Sequence, residues 1–460
     1  MDTVSLVFPT DDRWDSARQA WNLTVDQQPA AVALPGSPDE VAQAVRFARQ
    51  RGLRVVPQST GHSATPLGDL SDALLVKTAR LRDVRIDPQT RTARAGGGAL
   101  WMDVTRAAAP HGLAALAGTS ADVGVAGNHL GGGISWLARK HGLATNSLTA
   151  VELVTADGTL VRPDADTEPD LFWALRGGGG NFGVVTALEF RLVPISEVYA
   201  GALFFPAERL REVLHAWREW TESVPDELMS VGRFMQFPPN PNVPEPFRGR
   251  SFALVEAAFI GSRADGEELL RPLRELTPAL DTVSMIPVQT LDKLHMDPEQ
   301  PVPGVGDGML LADLPSEAID AVAELLGRGS SLVSVEFRHL GGELANARRE
   351  NGALASVEAS FSMFAVGSAM TPELAVAVES EVGYVQHALA AHDAGRMYMN
   401  FADKPRTGRA LFGAAYHRLR EVKAAYDPED VFKANHPVPP AQQPRPPRAV
   451  AERPERALVD

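Results

Sequence analysis

Between Gly118 and Gly133 the chain reads Gly118-Thr119-Ser120-Ala121-Asp122-Val123-Gly124-Val125-Ala126-Gly127-Asn128-His129-Leu130-Gly131-Gly132-Gly133, six glycines in sixteen positions. Glycine is needed where the backbone takes positive φ or lies against another group. Ordering so many freely rotating residues is unfavourable unless something holds them. The alternative is a flexible linker, but Val123, Val125, Leu130 and Ile134 are interleaved, and linkers are not apolar. The span therefore predicts backbone pressed against a ligand, and the rest of the chain has to build a fold that supplies one.

A second cluster, Arg176-Gly177-Gly178-Gly179-Gly180-Asn181-Phe182-Gly183, opens onto an apolar strand over 184–192. Earlier, a strand over 53–56 feeds Pro57-Gln58-Ser59-Thr60-Gly61-His62-Ser63. Small hydroxyl residues and one glycine after a strand can turn backbone N–H groups toward a phosphate. Taken alone, these seven residues also describe a surface turn with an incidental histidine. Residues 1–30 are polar and irregular, with Trp14 and Trp21 as anchors. Ser37, Pro38 and Glu40 form a helix start with a capping box, and Val41, Ala44, Val45 and Ala48 continue it at helical spacing. A strand over 74–76, a hairpin over 84–87 and 92–95, and a helix over 100–109 follow. Strands over 151–155 and 160–161 flank an Asp157-Gly158 turn, and a short helix covers 171–175.

At Pro194 the texture changes. Glycine thins out from 196 to about 395, and the pattern predicts a helix over 210–220, strands over 252–259 and 332–337, and a proline-rich loop over 238–246 framing an entrance. This is a second domain of α+β type with a largely antiparallel sheet. From Met397 the first texture returns, with a strand over 398–401, a helix over 410–425 and Val431-Phe432-Lys433-Ala434-Asn435-His436-Pro437. The tail after 440 is rich in proline, arginine and glutamate, has no core pattern, and is expected to be disordered.

The formal charge of −14 argues against nucleic acid and anionic membrane as partners. Absence of cysteine excludes disulfides, thiolate metal sites and cysteine nucleophiles. Neither a secretory signal nor a bilayer-spanning run is visible, so a cytoplasmic protein is expected. No Walker sequence, Rossmann fingerprint or zinc spacing is present. His111, His141, His215, His387 and His392 read as solvent-exposed or capped histidines.

The order and spacing of the loop at 57–63, the glycine runs at 118–133 and 176–183, and the closing Tyr398-Met399-Asn400-Phe401 and Asn435-His436-Pro437 segments resemble one family. The chain is similar to the berberine-bridge-enzyme-like branch of the vanillyl-alcohol oxidase / p-cresol methylhydroxylase (PCMH-type) flavoproteins, in the manner of bacterial hydroxynicotine oxidases and secondary-metabolite oxidases. The similarity runs from about Ala30 to Pro440. It implies an α+β fold: a two-part PCMH-type FAD-binding domain (1–195, core 30–195, completed by 397–440), an inserted substrate domain (196–396) on a largely antiparallel sheet backed by helices, and a disordered tail (441–460).

The resemblance also implies FAD as cofactor. Its pyrophosphate would lie against Gln58, Ser59, Thr60, Gly61 and Ser63, and the flavin 8α-methyl would be bonded to His62. Gly118, Thr119, Ser120, Val123, Gly124, Gly127, Asn128, Gly131, Gly132, Val185, Asn400 and Asn435 would complete the cofactor site. The family often has arginine and extra glycine where Gln58, Ser59 and Thr60 stand, so a cationic phosphate contact is lost here. Ser120 falls where bicovalent relatives carry a cysteine, so no cysteinyl link is expected. Val123 matches a position beside the flavin where small residues admit oxygen.

Glu336 and Arg338 share one face of a strand that in the family looks at the flavin. Either one serves catalysis, with a carboxylate taking a substrate proton, or both form an interdomain ion pair. Tyr398 and Asn400 are the other catalytic candidates, although a tyrosine base would need a pKa well below about 10. His129 and Trp136 are candidates for the pocket wall, with core packing the simpler role for Trp136. The implied activity is hydride removal from a C–H next to an alcohol, amine or hemiacetal of a small molecule or secondary metabolite. Flavin N5 accepts the hydride, and O2 reoxidises the flavin to give H2O2. A dehydrogenase using another acceptor, or a non-catalytic flavin carrier, is the alternative. A monomer or homodimer is expected, with no metal.

Overall fold

The structure, a computed structural model, describes residues 4–241 and 243–442. A four-stranded sheet opens it, in the order Leu6–Val7, Ala31–Ala33, Ala73–Lys77, Arg54–Gln58. Its last three strands are parallel, and parallel neighbours need a crossover. The helix Pro38–Gln50 supplies it. Ser37 Oγ accepts the Glu40 N–H at 3.2 Å and Glu40 Oε2 accepts the Gly36 N–H at 2.7 Å, which closes the expected cap. Val41, Ala44, Val45 and Ala48 are fully buried on its inner face. A five-stranded antiparallel sheet follows, in the order Val84–Asp87, Thr92–Gly96, Val184–Arg191, Leu148–Val154, Leu160–Val161.

The third sheet is antiparallel throughout and spans Glu197–Pro206 to Phe361–Ser368. Helices Leu210–Trp220, Ser316–Gly327 and Pro372–Ala388 cover one face, packing Trp217, Ile319 and Val382 onto Val255, Val335 and Phe337. The opposite face meets the glycine-rich half, where Val198, Ala200, Met229, Val231 and Ala258 contact Ile134, Trp136, Leu137 and Tyr398. Strand alternation then turns Arg233, Glu256, Ser334, Glu336 and Arg338 toward that glycine-rich half.

The final segment closes on the first two sheets. Val55 N–H donates to Val431 O at 2.8 Å and Lys433 N–H to Val55 O at 2.9 Å. Lys423 and Asp427, both fully buried, pair at 2.6 Å. Lys423 also donates to Asn181 O at 2.8 Å, and Asp427 accepts the Val431 and Phe432 N–H groups at 2.8 and 2.9 Å. The second glycine run is thus a clasp for the closing segment: Asn181 Nδ2 donates to His436 O at 3.0 Å.

Two expected elements differ. Met399–Phe401 is a 3-10 turn rather than a strand, because Phe401 N–H bonds back to Tyr398 O at 3.0 Å instead of to a neighbouring strand. The helix expected over 410–425 is two helices, Gly408–Phe412 and Tyr416–Tyr426, divided at Gly413, whose φ of 50° a right-handed helix does not accept. The span 118–133 also contains a short helix, Val125–Leu130. Residues 443–460 of the expected tail lie outside the described residues; Ala441 N–H donates to Arg420 O at 2.9 Å.

Candidate functional site

The loop after Arg54–Gln58 and the glycine span 118–133 face each other. A Cβ on Gly124 would lie 2.7 Å from Ser59 Oγ, so glycine lets the two segments touch. Thr60 Oγ1 stands 2.7 Å from His62 Nδ1. His62 Nε2 faces Asp122 Oδ1 at 3.7 Å, and Trp21 is stacked on the imidazole with centroids 4.1 Å apart. Ser63 O accepts from Asn435 Nδ2 at 3.4 Å, tying the closing segment to the loop.

Gln58 departs from expectation. Its side chain is buried and exchanges hydrogen bonds with Gln27 at 2.9 and 3.1 Å, so its amide does not face a ligand. Val185 sits inside the five-stranded sheet, 6 % exposed, and its carbonyl packs on Gly97, where a Cβ would come within 2.1 Å. Among the described residues, Ser59 Oγ, His62 Nε2, Trp101 Nε1, Asp122 Oδ1 and Asn128 Oδ1 are buried with no hydrogen-bond partner. Buried polar atoms are normally satisfied, and these five line the two facing segments. Half-buried Thr119 and Ser120, exposed Gly127 and the close-packed Gly118 and Gly132 belong to the same wall. That row of unsatisfied donors and acceptors along glycine backbone fits an FAD.

A Cβ on Gly131 would fall 1.8 Å from Asn400 Oδ1. Asn400 Nδ2 donates to Asn128 O and contacts the Tyr398 hydroxyl, each at 3.0 Å. The Tyr398 hydroxyl accepts the Ile134 N–H at 2.9 Å, and burial pushes its pKa above the ordinary value. This environment favours the neutral phenol and opposes a base role. Val123 O accepts the Trp101 N–H at 3.1 Å. His129 does not line the pocket: it is 1 % exposed, sits 4.7 Å from the Phe190 ring, and burial lowers its pKa to about 4.

Glu336 and Arg338 do point together. Arg338 Nε donates to Glu336 Oε1 at 2.5 Å, and Arg338 reaches Thr119 Oγ1 at 3.4 Å. The pair is an ion pair, and it touches the glycine span. Sequence reasoning missed its other partners. His295 Nε2 lies 2.5 Å from Glu336 Oε2 and its Nδ1 lies 2.7 Å from Glu256 Oε2. Arg233 bonds Glu256 Oε1 at 3.2 Å and His295 O at 2.7 Å. All five residues are at most 4 % exposed.

Burial opposes charge on Glu336, but Arg338 and His295 outweigh it and hold the carboxyl well below its ordinary range. A carboxylate engaged on both oxygens is a poor proton acceptor, which argues against Glu336 as the base. The signal was legible: Arg233 and Glu256 are lone charges inside otherwise apolar strands. Nearby, Ser120 Oγ bonds the half-buried Asp297 at 2.5 Å, and Trp136 stands edge-on to His295 at 6.0 Å. No cluster able to hold a metal occurs among the described residues, and no helix there is long and apolar enough to cross a membrane.

Comparison with known proteins bears on this site. A family described as FAD binding domain matches residues 29–164, and one described as berberine and berberine like matches 397–439. An uncharacterized FAD-linked oxidoreductase of Bacillus subtilis, YgaK, is 28% identical over 96% of this chain and 98% of its own. The (R)-6-hydroxynicotine oxidase of Paenarthrobacter nicotinovorans is 35% identical over 41% of each chain. The solved BBE-like 1 of Physcomitrella patens superposes with a TM-score of 0.83 at 23% identity, over 96% of this chain and 98% of that one.

Proposed function

Because the chain belongs to the berberine-bridge-enzyme-like, PCMH-type FAD-linked oxidoreductases, we propose that it is an oxidase of small-molecule alcohols, amines or hemiacetals. The carrying observation is the contact between the Glu336–Arg338 pair and Thr119, which puts a charged, rigid wall against the glycine span. When bound, FAD would supply the hydride-accepting and oxygen-reducing chemistry.

The protein's own residues divide the remaining work. Ser59, Thr60, Gly61, Ser63, Gly124 and Gly127 hold the cofactor, and His62 anchors it through a single covalent link. Asn400 and Asn128 border the ring. Glu336 fixes the Arg338 guanidinium, with His295 and Glu256 behind it, so that Arg338 orients the substrate. Asp297, which accepts the Ser120 hydroxyl and sits near enough to raise the pKa of both His295 and Arg338, takes the proton that the substrate releases. In this reading residues 1–195 and 397–440 form the flavin domain and 196–396 the substrate domain. The enzyme works in the cytoplasm as a monomer or homodimer.

Three measurements test this. Screening alcohols, sugars, amines and phenols for peroxide should find a substrate. The flavin, photoreduced without air, should reoxidise promptly when air is admitted; no reoxidation over minutes would make the protein a dehydrogenase. Denatured wild type should stay yellow, and His62→Ala should not.

A further inference from the structure

His62 is enclosed on three sides. Its Nδ1 meets the Thr60 hydroxyl at 2.7 Å. Its Nε2 and Asp122 Oδ1, 3.7 Å apart, are both buried without a hydrogen bond among the described residues. Trp21 covers the ring face at an interplanar angle of 19°, and its indole N–H donates to Asp122 Oδ2 at 2.5 Å. The Trp21 backbone N–H also donates to Thr60 O at 3.0 Å. Burial works against charge on Asp122, but His62 and Trp21 outweigh it and lower its pKa, so it is an anion at neutral pH.

A carboxylate facing one imidazole nitrogen keeps the proton there and leaves the other nitrogen as acceptor. It also stabilises positive charge that develops on the ring when that second nitrogen reacts, as in a hydroxyl–imidazole–carboxylate triad. The stacked indole adds to this, because an aromatic face attracts a cation. Thr60, His62 and Asp122 have this order, with Nδ1 toward the hydroxyl and Nε2 toward the carboxylate.

We propose that Asp122, held by Trp21, is a positioning residue for flavin attachment: it fixes His62 as the Nε2–H tautomer and makes Nδ1 the linking nitrogen. The proposal rests on His62 being the covalent anchor. Attachment forms one N–C bond and breaks one C–H bond of the 8α-methyl. One proton leaves the methyl and one leaves Nε2, the two electrons pass to the flavin ring, and O2 removes them as H2O2.

To test it, chain from a riboflavin-starved host is mixed with FAD and sampled over time. Each sample is unfolded in acid, and the flavin left on the precipitated chain is measured. At saturating FAD, Asp122→Asn should attach about ten-fold or more slowly than wild type, with the half-saturating FAD concentration unchanged; Asp122→Glu should recover part of the rate. Trp21→Phe, which keeps a ring over His62 but loses the N–H, should also be slower, and it keeps the test open if Asp122→Asn does not fold. Wild-type rates in both variants would overturn the proposal, as would a rate that falls only because FAD binds more weakly. If wild type itself releases all its flavin on unfolding, the anchor reading fails and the proposal with it. If wild type retains flavin, His62→Ala does not, and Asp122→Asn attaches at the wild-type rate, the proposal alone fails.

Discussion

His295 makes the protein's stability depend on pH in a direction that can be worked out. Burial and Arg233 both oppose its charge, yet Glu256 and Glu336 outweigh them and raise its pKa from 6.5 to about 9. A pKa raised in the folded state contributes stability that is fully present below 6.5 and is lost as pH rises through 9. At about 1.36 kcal/mol per unit, the contribution is roughly 3 kcal/mol. His295 is 2 % exposed, so solvent screening does not reduce this much. For a folding unit of roughly 150–250 residues, each kcal/mol moves Tm by about 2–4 °C. The Tm difference between wild type and His295→Gln should therefore shrink by roughly 6–12 °C between pH 6 and pH 9.5. Taking the difference removes the titrating groups that do not touch His295. Scanning fluorimetry at the two pH values is sufficient. An equal Tm gap at both would show that His295 is not charged in the folded chain, and the account of the network would be wrong.

Other consequences can be checked separately. Lys423→Met leaves Asp427 charged and buried, which should cost about 3–5 kcal/mol and show as a lower Tm and an earlier rise of flavin fluorescence on heating. Gly131→Ala drives a methyl into Asn400 and should weaken FAD binding, measured by titrating the apoprotein, while Gly383→Ala, on the helix Pro372–Ala388 and meeting nothing within 4 Å, should bind like wild type. Tyr398→Phe strands the buried Ile134 N–H and should cost about 1–3 kcal/mol in thermal unfolding, with no loss of a basic limb in the pH–rate profile.

Local patterns made most of the secondary structure legible. The helix Leu210–Trp220 was read to the residue because its apolar spacing and its burial coincide. The closing segment was misread because Tyr398 and Asn400 alternate like strand residues, whereas the hydrogen bonds that shape them run to Ile134 and Asn128, far off in sequence. The same limit hid most of the site. Glu336 and Arg338 are two residues apart and could be paired by inspection, but His295 meets Glu256 across 39 residues and Trp21 meets Asp122 across 101. Spacing along a chain carries no record of such partners. Gln58 shows the same limit: Gln27, 31 residues earlier, satisfies its side-chain amide, a partner that spacing does not reveal.

The Lys423–Asp427 clasp bears on the order in which the protein is made. Arg54 reaches Asp430 across 376 residues, so the strand Arg54–Gln58 waits for its last partner until that whole stretch has been made. At ordinary ribosomal speeds that wait is roughly 20–75 s. The inserted sheet, whose strands all fall between 197 and 368, emerges complete within it. The nascent chain thus carries a finished inserted sheet beside an unfinished glycine-rich half. Closure of the first two sheets follows completion of the insert, and an early stop between Ala388 and Lys423 would leave the inserted sheet without the segment that closes them.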